Sequence, residues 1–224
     1  MTRRAILWDM DGTLIDSEPV HGLAFDAAIR ALGLIIPDGF HDDQIGADGE
    51  HVFQALVDQT GISMGLDAWL ALKWHHFCDH ADRIERREPV SRVAEKLAAQ
   101  NTPMAVVSNS TPEEVVLGLK MTGLAHISDV IISRADVEEG KPDPEGYLLA
   151  ASRLRRQPDN CLVVEDSLLG SKAGVAAGMS VLFHPQSPLT DMRLLPKGAS
   201  YLAPDADPME AIIRFLTTGN LEEA

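Results

Sequence analysis

Two aspartates, Asp9 and Asp11, stand two positions apart at the exit of the apolar run 5–8, and Gly12 follows them at once. Successive side chains of a strand point to opposite faces, but a chain that coils directly after its last strand residue can bring both carboxylates to one pocket, and a glycine permits that turn. An unpaired charge is costly in a core. Two acids in this position therefore suit a bound cation and a nucleophilic attack better than packing. Ser108, Lys141 and Asp166 also fall at or just after the ends of apolar runs, with Glu165 beside Asp166. Each has an ordinary use when taken singly, as a turn former, helix cap or loop residue. Ligands of open parallel sheets sit beyond the carboxyl ends of the strands, so the set is expected to share one crevice.

The elements that must position these residues follow from hydrophobic pattern. Runs 5–8, 104–107, 130–132 and 162–164, with a fifth at 181–183, read as strands buried on both faces. Helical stretches at 90–100, 112–122 and 144–154 alternate with them. Such alternation implies an α/β fold with a doubly wound parallel sheet covered on both sides. Between Leu14 and about Glu88 the pattern changes to helical periodicity at 20–32, 50–59 and 66–80, with no convincing strand. An all-helical insertion after the first strand accounts for it. Gly170, Gly174 and Gly178 recur every four residues after Asp166, where small residues let a helix pack closely on the sheet. The tail 217–224 is expected to fray.

A length of 224 residues allows one sizeable core, or a core with a small inserted unit. The formal net charge of −15 argues against nucleic acid, whose binding needs clustered Lys and Arg. It also repels anionic substrates at long range, so any site for an anion here needs local positive charge. Arg3 and Arg4 precede an apolar run interrupted by Asp9 and Asp11, which is neither a signal peptide nor a membrane span. Cys78 and Cys161 lie far apart and are expected to be small buried hydrophobes in a reduced, cytoplasmic compartment. His75, His76, Cys78 and His80 make a poor zinc site, because helix neighbours project about 100 degrees apart. The charged run 83–88 reads as a solvated helix end.

The opening Asp9-Met10-Asp11-Gly12-Thr13-Leu14-Ile15-Asp16-Ser17-Glu18-Pro19-Val20-His21 closely resembles that of the haloacid dehalogenase (HAD) superfamily, in its phosphatase and phosphoglucomutase branch with a small helical cap. Three further motifs of that superfamily occur in order: Ser108-Asn109-Ser110, Gly140-Lys141-Pro142-Asp143-Pro144 and Glu165-Asp166-Ser167-Leu168-Leu169-Gly170. The resemblance spans about the whole chain. It implies a Rossmann-like catalytic core at 1–15 and 88–224 and a mobile cap at 16–87, hinged at 16–19 and 88–90.

It also implies a Mg²⁺-dependent phosphatase acting on a small phosphorylated metabolite, as a monomer or weak homodimer. Asp9 would attack phosphorus and form an aspartyl phosphate. Asp11 would protonate the leaving oxygen and then take a proton from water, with its pKa shifted towards working pH and its carboxylate oriented by the Thr13 hydroxyl. The implied metal ligands are Asp9, the Asp11 carbonyl and Asp166, with Glu165 close by or binding through water. Lys141 and Ser108 would hold the phosphoryl group, helped by the Asn109 backbone N–H. His21, Gly46, Ala47, Lys73 and Thr13 are the remaining candidates for contact with substrate.

Other readings fit less well. A receiver module would carry its phosphorylated Asp on a middle strand, where this chain has Ser108. A dehalogenase proper needs neither Asp11 nor a metal ion. A phosphonate hydrolase needs a Schiff-base lysine near the start of the cap, whose only lysine is Lys73. A sugar phosphomutase grips a second phosphate with a cap arginine, absent from Ile45-Gly46-Ala47-Asp48-Gly49-Glu50, where Asp48 and Glu50 are expected to repel it.

Overall fold

The structure, a computed structural model, describes residues 4–40, 44, 47 and 49–221. The chain runs β1 (Ala5–Trp8), β2 (Ile15–Asp16), α1 (Glu18–Leu32), α2 (Gly49–Thr60), α3 (Leu66–Cys78), β3 (Glu85–Arg86), α4 (Val90–Ala99) and β4 (Met104–Val107). It continues through α5 (Pro112–Met121), β5 (Ile131–Ile132), α6 (Glu145–Arg153), β6 (Cys161–Glu165), α7 (Leu168–Ala176), β7 (Ser180–Phe183), β8 (Ala199–Tyr201) and α8 (Met209–Thr218).

Six strands form one parallel sheet in the order β5-β4-β1-β6-β7-β8. After β1 the chain builds outward on one side through β4 and β5, then returns to the other side of β1 with β6. The change of direction opens a crevice at the carboxyl ends of β1, β4 and β6, where Asp9, Ser108 and Asp166 begin their loops. Strand alternation explains why the central runs are wholly apolar: Ile6, Trp8, Val106, Leu162 and Val164 bury on one face, Ala5, Leu7, Ala105, Val107 and Val163 on the other. Helices α1–α3 add a core of their own around Phe25, Val52, Leu56 and Trp69.

Several expectations are corrected. Residues 14–88 do contain strands: β2 and β3 pair antiparallel through Ile15 with Arg86 and Asp16 with Glu85, closing the helical insertion with a small ribbon. The run 83–88 is thus no solvated helix end. The sheet has a sixth strand, β8, whose Ala-Ser-Tyr sequence is half-buried at an edge and carries no apolar run. The C-terminal segment forms α8, and Arg4 donates to the Leu216 and Thr217 carbonyls at its end at 2.9 and 3.0 Å, so Thr217 and Thr218 are not frayed. Residues 222–224 lie outside the described residues.

The three glycines after Asp166 have three different uses. A Cβ on Gly174 would press on Val163 and Val181, which is the close packing expected of it. One on Gly170 would collide with the Glu165 carboxylate, and Gly178 ends the helix at φ +74° with open space beside it. Cys161 is buried but Cys78 is exposed at the end of α3. His75 and His76 both turn towards Asp79, at 4.0 and 3.8 Å, leaving Cys78 and His80 apart from them. No helix among the described residues is long and apolar enough to cross a membrane.

Candidate active site

The loop after β1 is wound by the sequence that follows it. The N–H groups of Thr13, Leu14 and Ile15 all donate to the Met10 carbonyl, and Gly12 takes φ +79° while donating to Ile15 at 2.8 Å. A side chain on Gly12 would meet the Asp166 carboxylate, so only glycine lets the two acidic loops approach. The winding leaves Asp9 and Asp11 in the same crevice but with separate surroundings.

Asp9 Oδ1 accepts from Lys141 Nζ at 2.5 Å, whereas Asp9 Oδ2 is buried with no partner among the described residues. Lys141 Nζ also donates to Glu165 Oε1 at 2.6 Å and to the Val107 carbonyl at 3.0 Å, and lies 5.1 Å from the centre of the Tyr147 ring. Burial and the Glu165 charge, only partly offset by Lys141, push the Asp9 carboxyl up to about 7. Asp166 is raised well above the carboxylate range by burial and by the charges of Asp9 and Glu165. Ligand atoms of Asp9, Glu165 and Asp166 lie within 4.8 Å of one another.

Glu165 stands in that acidic cluster, yet its oxygens are taken up by donors of the chain itself. It is fully buried and accepts four hydrogen bonds: Lys141 and the Tyr147 hydroxyl, at 2.7 Å, on Oε1, and the Ser167 N–H and hydroxyl, at 3.1 and 2.9 Å, on Oε2. Four donors satisfy a carboxylate, so its role here is to hold Lys141 against Asp9.

Asp11 differs from expectation in both partner and proton affinity. Its carboxylate accepts from Ser17 at 2.5 Å, Ser108 at 3.0 Å and Ser110 at 2.9 Å, and His21 Nε2 stands 3.7 Å away. Burial works to raise its pKa, but the His21, Ser17 and Ser110 contacts outweigh burial and bring it down to about 2. Ser108 therefore points at Asp11, and Thr13, expected to orient Asp11, donates to Asp166 instead at 3.3 Å. Asn109 clasps the Lys141 backbone, accepting from its N–H at 2.9 Å and donating to its carbonyl at 3.3 Å.

Ser17, Ser110, Tyr147 and Arg87 also contribute to the site, and the sequence alone does not single them out. The two serines stand inside recognised motifs, yet their hydroxyl targets depend on tertiary geometry; Ser17 sits at the N-cap of α1 and makes no side-chain cap. Tyr147 gave no signal beyond lying one turn after Pro144. Arg87, expected to be solvated, instead donates to the Gly12 and Pro185 carbonyls.

A cavity of about 380 Å³ lies between this crevice and helices α1–α3, lined among others by His21, Ala47, Glu50, Lys73, Glu114 and Arg134. Gly46 and Asp48 lie outside the described residues. Glu50, expected to repel a distal phosphate, has Arg134 from the loop after β5 at 3.7 Å, so its charge is countered.

Residues 6–184 match the model of the haloacid dehalogenase-like hydrolases. The chain is 29% identical over 191 residues to the fructose-1-phosphate phosphatase YqaB of Escherichia coli, covering 85% of this chain and 96% of that one. It is 26% identical to the 6-phosphogluconate phosphatase of the same organism, covering 88% of this chain and 89% of that one. Among solved structures, CbbY of Rhodobacter sphaeroides in complex with xylulose-(1,5)bisphosphate shares the fold, with a TM-score of 0.79 and 22% identity over 90% of this chain and 94% of that one. With the four motifs converging on one crevice and the family model matched from β1 to the end of β7, the chain belongs to the haloacid dehalogenase-like hydrolase family.

Proposed function

We propose that the chain is a Mg²⁺-dependent phosphatase of small phosphomonoesters, of the sugar, polyol or glycolate phosphate type, working through an aspartyl phosphate on Asp9. Residues 1–15 and 88–224 serve as its catalytic core and 16–87 as its cap. The observation that carries this reading is the state of Asp9: one oxygen held by Lys141, the other buried and unpartnered beside Asp166. Such an uncompensated oxygen within an acidic cluster fits a hard divalent cation with oxygen ligands. Asp9, the Asp11 carbonyl and Asp166 would hold it. Bound there, Mg²⁺ supplies the positive charge that lets a phosphate dianion approach a carboxylate.

The chain's own residues account for the rest. Lys141 fixes the Asp9 carboxylate and presents a second positive charge to the phosphoryl oxygens. Asp9 attacks phosphorus, the P–O ester bond breaks, and the leaving oxygen takes a proton from Asp11. Water then attacks the aspartyl phosphate, giving its proton to Asp11 and returning Asp9 as a carboxylate. In the present arrangement Asp11 is held ionised, so its protonated form requires substrate entry to break the serine and His21 contacts. Phosphatase names on two relatives, for fructose 1-phosphate and 6-phosphogluconate, support hydrolysis of sugar phosphates.

The test is hydrolysis of p-nitrophenyl phosphate by the purified chain with Mg²⁺. Activity that EDTA abolishes, and that Asp9→Asn lowers by more than about a hundredfold, is the expected result. Turnover by Asp9→Asn close to that of the unaltered chain would overturn the nucleophile.

A further inference from the structure

We propose that Lys73 and Glu114 form a subsite for a hydroxyl group on the leaving portion of the substrate, selecting neutral polyhydroxy phosphates over those carrying a second anion. The inference rests on the phosphatase reading of the cavity and adds the chemical class of its substrate.

Lys73 lies on α3 and Glu114 on α5, so the pair spans the cavity from the helical insertion to the core; both residues line it. Lys73 Nζ stands 3.8 Å from Glu114 Oε1, with the side chains only 14% and 10% exposed. That separation makes an ion pair but exceeds hydrogen-bond reach. The two Glu114 oxygens have different duties. Oε2 accepts the Thr111 N–H at 2.9 Å and the Thr111 hydroxyl at 3.0 Å, closing the capping box of α5, while Oε1 faces Lys73. Among the described residues neither Lys73 Nζ nor Glu114 Oε1 makes a hydrogen bond, so the cavity presents one donor and one acceptor that are matched in charge but open to hydrogen bonding.

A hydroxyl fits between them because it accepts and donates at once. Placed ~2.8 Å from each atom, the usual hydrogen-bond length, it bridges the 3.8 Å gap without moving either side chain. A carboxylate or phosphate dianion offers acceptors only. It would satisfy Lys73 while being pressed against Glu114, with the Asp11 and Glu18 carboxylates lining the same cavity. The pair itself sums to no net charge, so nothing in it rewards a second anion.

The experiment uses the whole chain with Mg²⁺ and compares kcat/KM for glucose 6-phosphate, glucose 1,6-bisphosphate and p-nitrophenyl phosphate. The unaltered chain should prefer the monophosphate to the bisphosphate by about tenfold or more, since the second anion meets the Glu114 charge where a hydroxyl would be bound. Glu114→Gln can still close the capping box but removes the charge that repels anions, so the preference should fall about tenfold or reverse. Lys73→Met should lower kcat/KM for glucose 6-phosphate, and the double variant should lose no more than the worse single variant, because the two act on one hydroxyl. No hydrolysis of p-nitrophenyl phosphate would defeat the phosphatase reading and the subsite with it. Hydrolysis of that ester with the same monophosphate-to-bisphosphate ratio in the unaltered chain and in Glu114→Gln would defeat the subsite alone.

Discussion

Arg87 donates from Nη1 to the Gly12 carbonyl at 2.6 Å and from Nη2 to the Pro185 carbonyl at 2.7 Å. One guanidinium thus ties the end of β3, where the chain leaves the helical insertion, to the loop that carries the two aspartates. Its charge also faces Asp166, Asp9 and Asp16. A planar fork suits two carbonyls at fixed separation in a way that an ammonium does not. Arg87→Ala should lower stability by about 2–4 kcal/mol, as expected for two hydrogen bonds from a charged donor, and should raise the Mg²⁺ concentration needed for half-maximal activity. Arg87→Lys should recover part of the metal response and little of the stability. Urea denaturation and metal titration measure the two effects, and an Arg87→Ala protein matching the unaltered chain in both would refute the tie.

Burial and neighbouring acids raise the Asp9 carboxyl from 3.8 to about 7. The native chain then keeps a proton that the unfolded chain releases, so this group costs nothing below 3.8 and lowers the stability of the metal-free protein increasingly as pH rises towards 7. A cation bound by Asp9 displaces that proton. Asp166, raised by the same burial and neighbouring charges, releases its proton to the cation as well, so Mg²⁺ affinity should rise with pH through the neutral range and Mg²⁺ should raise Tm more at pH 8 than at pH 5.5. Equal Tm gains at the two pH values would contradict the assignment of Asp9 as a ligand.

Gly12 couples backbone shape to the acidic cluster. Gly12→Ala places a left-handed conformation on a residue with a side chain, a cost of about 1–2 kcal/mol, and drives its Cβ into Asp166. The variant should lose stability and, separately, bind Mg²⁺ more weakly, because Asp166 must move. A stability loss with an unchanged Mg²⁺ titration would show that the Asp166 position does not depend on this contact.

The central sheet was readable because its strands are buried on both faces and must be apolar throughout, which no loop or amphipathic helix imitates at that length. The same reasoning fails at the margins. The edge strand β8 shows half of itself to solvent, and β2 and β3, at two residues each, are too short to show a period. Lys141 lies nine residues past the end of β5, but Asp9, Ser108 and Asp166 could be placed in one crevice from the strand ends alone. What each side chain touches could not. Thr13 reaches Asp166 rather than Asp11, and Ser108 reaches Asp11, because the winding around Met10 sets which carboxylate faces which hydroxyl. Arg87 looks solvated for a related reason: a place among the charged residues of 83–88 says nothing of two carbonyls brought up from distant loops.

The chain should hydrolyse sugar phosphates rather than isomerise them. A mutase must keep its aspartyl phosphate from water until a second hydroxyl attacks, which demands a cap that grips a second phosphate and closes tightly. Here the described positive charges of the cavity beyond Lys141 are already matched: Lys73 by Glu114 at 3.8 Å, and Arg134 by Glu50 at 3.7 Å. A distal phosphate would have to break an ion pair and displace a carboxylate to be held. Free phosphate should accordingly appear in step with the loss of a hexose phosphate, with no positional isomer formed even when a sugar bisphosphate primer is supplied. Phosphorus NMR follows both at once. Efficient migration of the phosphoryl group between the 1 and 6 positions would overturn hydrolysis as the main reaction, since it requires the second-phosphate grip that these ion pairs oppose.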